Sequence, residues 1–135
     1  MSERQTWKLL GRGALAGIVW RAAEPTLQRV FGHPYSDPQL ATAFVPGRTA
    51  ALDYAVQATG GAAFAWAFRR LGGRSAIPAV LAENALLLAA SPLVDRIHPY
   101  VRDGRWPPLT GNPRAAAVSV SGHLLYAVLL DTLLP

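Results

Sequence analysis

Glu83, Asn84, His123 and Gln57 each fall near the middle of a stretch that is otherwise almost free of charge. If those stretches are helices in one bundle, a carboxylate, an imidazole and two carboxamides meet at one level. A Glu–His pair in that setting can titrate. Burial raises a carboxyl pKa and a neighbouring imidazolium lowers it. Such a pair can relay a proton or hold a ligand. The plainer role is interhelical glue, since hydrogen bonds between helices fix register at about 0.6 kcal/mol each in membranes. Asp53 stands about a turn from this level, towards the end that carries Arg21 and Glu24, and an Arg21–Asp53 pair is expected. Asp131, near the opposite end, is expected to pair with Arg12 or Arg74.

Two further residues invite chemistry. His33 and His98 each open a His-Pro-Tyr triplet, His33-Pro34-Tyr35 and His98-Pro99-Tyr100. They form a second candidate site if the loops that carry them are brought together. The plainer role is a turn followed by an interfacial tyrosine. Metal binding needs several convergent ligands, and no HxxxH or ExxH pair occurs on any apolar stretch, so no metal is assigned. There is no cysteine, which excludes disulfides and thiolate sites. Ser119 shares a helical face with His123, but no GxSxG elbow, HExxH helix or phosphate loop is present. No catalytic residue and no cofactor is therefore expected.

The elements that must position these residues are four apolar stretches at 9–24, 49–68, 75–94 and 115–134. A bilayer core of about 30 Å is crossed by about 20 mainly apolar residues in a helix. Hydrophobic residues make up 51% of the chain and charged residues 16%, against about 25% charged in soluble domains. Mean hydropathy is only +0.20, because the connecting loops are polar and rich in proline. The expected fold is all-α: a four-transmembrane-helix bundle in a single domain. A soluble helical bundle is the alternative, and a cleaved N-terminal signal is the alternative for the first stretch. Net charge is +5, with the arginines gathered at the ends of the stretches. That placement suits anionic lipid headgroups rather than nucleic acid, which is not expected as a partner.

The chain also repeats itself. Gly11-Arg12-Gly13-Ala14 and Gly73-Arg74-Ser75-Ala76 open the first and third stretches. Ala22-Ala23-Glu24-Pro25 and Ala89-Ala90-Ser91-Pro92 close them. Arg29 and Arg96 follow, then the two His-Pro-Tyr triplets, then Pro46-Gly47-Arg48 and Asn112-Pro113-Arg114. Repeats at 9–68 and 72–134 would be parallel hairpins related by an axis along the membrane normal. Basic residues crowd the span ends at Arg4, Lys8, Arg12, Arg69, Arg70 and Arg74, which favours cytoplasmic termini. The aromatic residues Trp7, Trp66 and Phe68 at one end, and Trp20, Phe31, Tyr35, Phe44, Tyr100 and Trp106 at the other, are expected at headgroup depth. Segment 25–31 is read either as an interfacial helix or as a continuation of the first. Small residues, chiefly Gly13, Gly17, Gly60 and Gly61, are expected to let the helices approach closely. The leucine runs at 86–88 and 129–130 would then face lipid or a partner.

The Gly-Ala-Leu-Ala-Gly run and Ala-Ala-Glu-Pro of 11–25, with Gly122-His123-Leu124-Leu125-Tyr126, resemble the first and last spans of small bacterial inner-membrane proteins of the YagU-like group. Ala127 keeps that group's small residue after the tyrosine, while a leucine run replaces a later glycine. The resemblance implies four spans and a bacterial inner-membrane location, and no established reaction. The expected role is a non-enzymatic accessory subunit bound to the lipid bilayer and to a protein partner or to further copies of itself. The alternatives are a small oligomeric transporter or proton-linked permease using Glu83 and His123, and a lipid-modifying enzyme using the repeated loops.

Overall fold

The computed structural model describes residues 1–133, all-helical with no strand among them. Leu134, the expected end of the fourth stretch, lies outside the described residues. Helix α1 (Glu3–Phe31) begins at Ser2, whose hydroxyl accepts the Gln5 N–H while Gln5 Oε1 accepts the Ser2 N–H. This reciprocal cap satisfies two otherwise orphaned donors. The helix ends at Gly32, where a φ of 69° suits a residue without Cβ. It runs through Pro25, so 25–31 continues the first helix, and the expected end at 24 and the separate interfacial helix are corrected. Proline removes one intrahelical bond, and packing of α1 on two neighbours outweighs that loss.

Four short or medium helices and two long ones follow. These are α2 (Gln39–Thr42), α3 (Ala50–Arg70), α4 (Ala76–Ala89), α5 (Ser91–Ile97), α6 (Pro99–Arg102) and α7 (Pro113–Leu133). The third stretch is not the continuous span expected. It breaks at Ala90, and α5 leaves α4 at 51°. Pro92 is the cause, since it lacks the N–H for the Leu88 carbonyl and its ring clashes with that turn. Among the described residues, only α7 is by itself long and apolar enough to cross a membrane; the bent α4–α5 pair passes when taken together. Of the four spans expected, one passes this test alone and a second passes as the broken pair. Charged or amide side chains in α1 and α3, including Arg12, Arg21, Asp53 and Gln57, lower their apolarity.

The long helices pack in the order α3, α1, α7, α4. One apolar cluster joins Leu9, Ala65, Ala76 and Leu130, so the start of α1, end of α3, start of α4 and end of α7 share one end of the bundle. A second cluster at the other end joins Tyr35, Tyr100, Trp106, Leu109 and Val118. Several aromatics expected at an interface are instead buried here: Trp20 in the first cluster, Tyr35, Tyr100 and Trp106 in the second. The loops fold back over the helix ends and enclose them. Leu86 is exposed, whereas Leu130, expected to face outward, is in the core.

The α1–α3 seam is the tightest. A Cβ on Gly13 or Gly17 would meet the backbone of α3 at Gly61 and Gln57, and one on Gly61 would meet Gly13. Gly60 does not share this role: nothing lies near its missing Cβ, and it faces a cavity. At the other seam Asp131 does not reach Arg12 or Arg74. It accepts the Ser75 hydroxyl at 2.7 Å and the Ala76 N–H at 2.5 Å. It thereby caps the start of α4, where a negative charge is favoured.

Candidate functional site

The loop after α1 turns into the bundle instead of running over its surface. Glu24 directs it. One Glu24 carboxylate oxygen accepts the Asp37 N–H at 2.8 Å, and the other accepts the Ser36 hydroxyl at 2.8 Å with Arg21 at 3.3 Å. Asp37 is thereby carried to α7, where its Oδ1 stands 3.8 Å from His123 Nε2. The Tyr35 hydroxyl donates to the same oxygen at 3.1 Å.

His123 is almost fully buried. Its Nδ1 lies 2.8 Å from the Ser119 carbonyl, one turn earlier. A carbonyl only accepts, so Nδ1 carries the proton and Nε2 is left facing Asp37. Asn84 lies 3.1 Å from Nδ1 and 2.6 Å from Ser119 Oγ. With Nδ1 protonated, its carboxamide oxygen is the better group to present to both, an orientation assigned from the network. Asp37 and His123 Nε2 therefore face each other across 3.8 Å. Burial pushes the Asp37 carboxyl up from its ordinary range, while His123 and the Tyr35 hydroxyl pull it back.

Asp37 also lines a cavity of about 100 Å³ with Trp20, Gln57, Phe64, Glu83 and Tyr126. Four of the six were not singled out as a group from the sequence: Asp37, Trp20, Phe64 and Tyr126. The Trp20 ring lies 5.5 Å from Tyr126 and edge-on to His123 at 4.6 Å. Phe64 lies 5.8 Å from Tyr126. Tyr126 is held by its hydroxyl, which donates to the Gly61 carbonyl at 2.8 Å.

The residues expected at one level fall into two groups. Asn84 and His123 are hydrogen-bonded together, while Gln57 and Glu83 face the cavity. Glu83 is exposed on α4, within electrostatic reach of both Asp37 and His123. The close partner of His123 is Asp37. A loop aspartate brought back by Glu24 leaves no periodic signal in the sequence.

Asp53 stands apart from this site. It is fully buried and accepts from Thr42 at 2.6 Å, Gln39 at 3.2 Å and Arg48 at 2.5 Å, with Arg21 at 3.5 Å. Arg48 also donates to the Tyr100 hydroxyl at 2.8 Å. With four donors on its two oxygens, Asp53 is a structural hub joining α1, α2, α3 and α6.

The two loop histidines have local duties. His33 Nδ1 accepts the Tyr35 N–H at 3.0 Å, and His98 Nδ1 accepts the Tyr100 N–H at 3.3 Å. His98 Nε2 bonds the Gln39 carbonyl at 2.9 Å, and its ring stacks on Trp106 at 4.6 Å. Both His98 nitrogens are engaged, so a shared His33–His98 ligand site does not form. His33 Nε2 is buried without a hydrogen-bond partner. Burial lowers the His33 pKa, against a smaller opposing effect from the nearby Pro107 carbonyl. Among the described residues no group of three or more His, Asp or Glu is placed to hold a metal ion.

No protein-family model, curated protein or solved structure matches this chain.

Proposed function

We propose that this chain is a small multi-pass membrane protein whose interhelical cavity is a proton-linked binding site. In this reading it works as a permease subunit. The observation that carries it is the Asp37–His123 contact at 3.8 Å beside a cavity that also holds Glu83. Ionisable groups at membrane depth mark proton or substrate paths. Support for four crossings comes from the bundle itself: four long segments alternate in direction, with α4 and α5 as one broken crossing. Broken helices occur in membranes where they line a cavity. The termini are assigned to the cytoplasmic side of a bacterial inner membrane, and the two halves to a duplication that shares the His-Pro-Tyr turn.

The test is proton movement into proteoliposomes loaded with a pH-sensitive dye. The purified protein should dissipate an imposed pH gradient faster than empty liposomes, and Asp37→Asn should abolish the difference. Full activity in Asp37→Asn would end this reading.

A second reading, an accessory subunit, has its own observation. Leu81, Leu86 and Leu93 are exposed along α4 and α5. A stoichiometric protein partner retained through purification in mild detergent, and lost in Leu86→Gln, would favour it.

A further inference from the structure

We infer that the cavity between α3 and α4 takes a small protonated aliphatic amine. This assignment rests on the binding-site reading above and adds the class of ligand. Three independent features converge on it.

The first is charge. Asp37 and Glu83 line the cavity, and no arginine or lysine does. Arg21, the nearest cation in the network, is turned towards Glu24 and Asp53. The second is the wall. Trp20, Phe64 and Tyr126 surround the same space, and aromatic faces attract cations within about 6 Å of the ring. Rings offer no lone pairs to a hard metal ion, which needs about six or more oxygens in the case of calcium. The third is Gln57. It is only 6% exposed, lines the cavity and makes no side-chain hydrogen bond among the described residues. Its carboxamide oxygen, open to the cavity, can accept an ammonium N–H.

Size narrows the class. The cavity of about 100 Å³ is several times the roughly 10–15 Å³ that one water needs. That suits a cation of a few non-hydrogen atoms. The carboxylates and Gln57 would receive its N–H groups. Its alkyl part would lie against Phe64 and the backbone of Gly60 and Gly61.

The test is binding of isopropylammonium to the protein in nanodiscs, followed by calorimetry and by Trp20-sensitive fluorescence. Isopropanol is the neutral control of the same shape, and potassium is the spherical cation control. Saturable binding at least about tenfold tighter than isopropanol is expected. Phe64→Leu should weaken it about two- to fivefold, and Glu83→Gln more strongly. Glu83 is exposed and makes no hydrogen bond among the described residues, so Glu83→Gln should fold normally. Equal binding of isopropanol, displacement by equimolar potassium, or unchanged binding in Glu83→Gln would overturn the assignment. Proton movement in liposomes with no ammonium binding would overturn it while leaving the proton site standing. Ammonium binding without proton movement would support it and remove the proton-linked step.

Discussion

Glu24 accepts the backbone N–H of Asp37 at 2.8 Å, so a carboxylate near the end of the apolar part of α1 sets the position of another inside the bundle. The contact turns a surface loop into a wall of the cavity. Glu24→Ala should release that loop. Loss of one buried acceptor leaves the Ser36 hydroxyl and the Asp37 N–H unpaired, at a cost of about 1–3 kcal/mol. Thermal unfolding in detergent should show the loss, together with a shift in Trp20 fluorescence as the cavity opens. An unchanged melt and spectrum would show that the loop holds its place without Glu24.

Asp53 predicts a larger effect of a different kind. Asp53→Ala leaves Arg21 with Glu24 alone and Arg48 with only the Tyr100 hydroxyl, their side chains 12% and 25% exposed. Breaking one side of a buried ion pair costs about 3–5 kcal/mol, and the partial exposure of Arg48 points to the lower end. The melt should fall sharply, while proton movement per folded molecule should persist. A stable protein that has lost transport would instead place Asp53 in the functional site.

The glycines separate packing from cavity. Gly17→Ala and Gly61→Ala drive a methyl into the facing backbone of the α1–α3 seam. Overpacking of this kind costs about 1–3 kcal/mol. Gly60→Ala meets nothing and should leave the melt unchanged. Equal effects at all three positions would contradict the seam.

Much of this arrangement was legible in the sequence because it follows from periodicity. The apolar stretches gave α1, α3, α4 and α7, and two of their central polar residues, Asn84 and His123, meet. The Arg21–Asp53 pair followed from matching depths. What was hidden depends on contacts between distant segments. Pro25 and Pro92 close similar motifs, yet only Pro92 breaks its helix, because α1 is packed on both α3 and α7 while α4 packs chiefly on α7. Asp37 sits in a proline-rich loop that looks like a surface connection. Only its capture by Glu24 brings it to His123.

His33 gives the pH prediction. Its folded pKa is lowered by burial, so the folded state resists a proton that the unfolded chain takes up near pH 6.5. Stability from this group is complete above that value and falls as the pH drops through and below it. His33→Asn keeps an acceptor for the Tyr35 N–H, since asparagine makes the same turn two residues on. The variant should lose less stability than wild type between pH about 7 and about 5. Parallel pH profiles for the two proteins would refute this role.

The titration of Asp37 decides whether it shares a proton with His123. Infrared difference spectra of the reconstituted protein between pH about 5 and about 8 read protonated carboxyl groups. Asp37 faces Glu24, Tyr35, Glu83, Tyr126 and His123, so the variants isolate its band. A carboxyl band that titrates above the ordinary aspartate range and vanishes in Asp37→Asn is expected. In His123→Gln the band should titrate higher still, because the imidazolium that lowers it is gone. A spectrum unchanged by Asp37→Asn, or an Asp37 titration indifferent to His123, would contradict a shared proton between them.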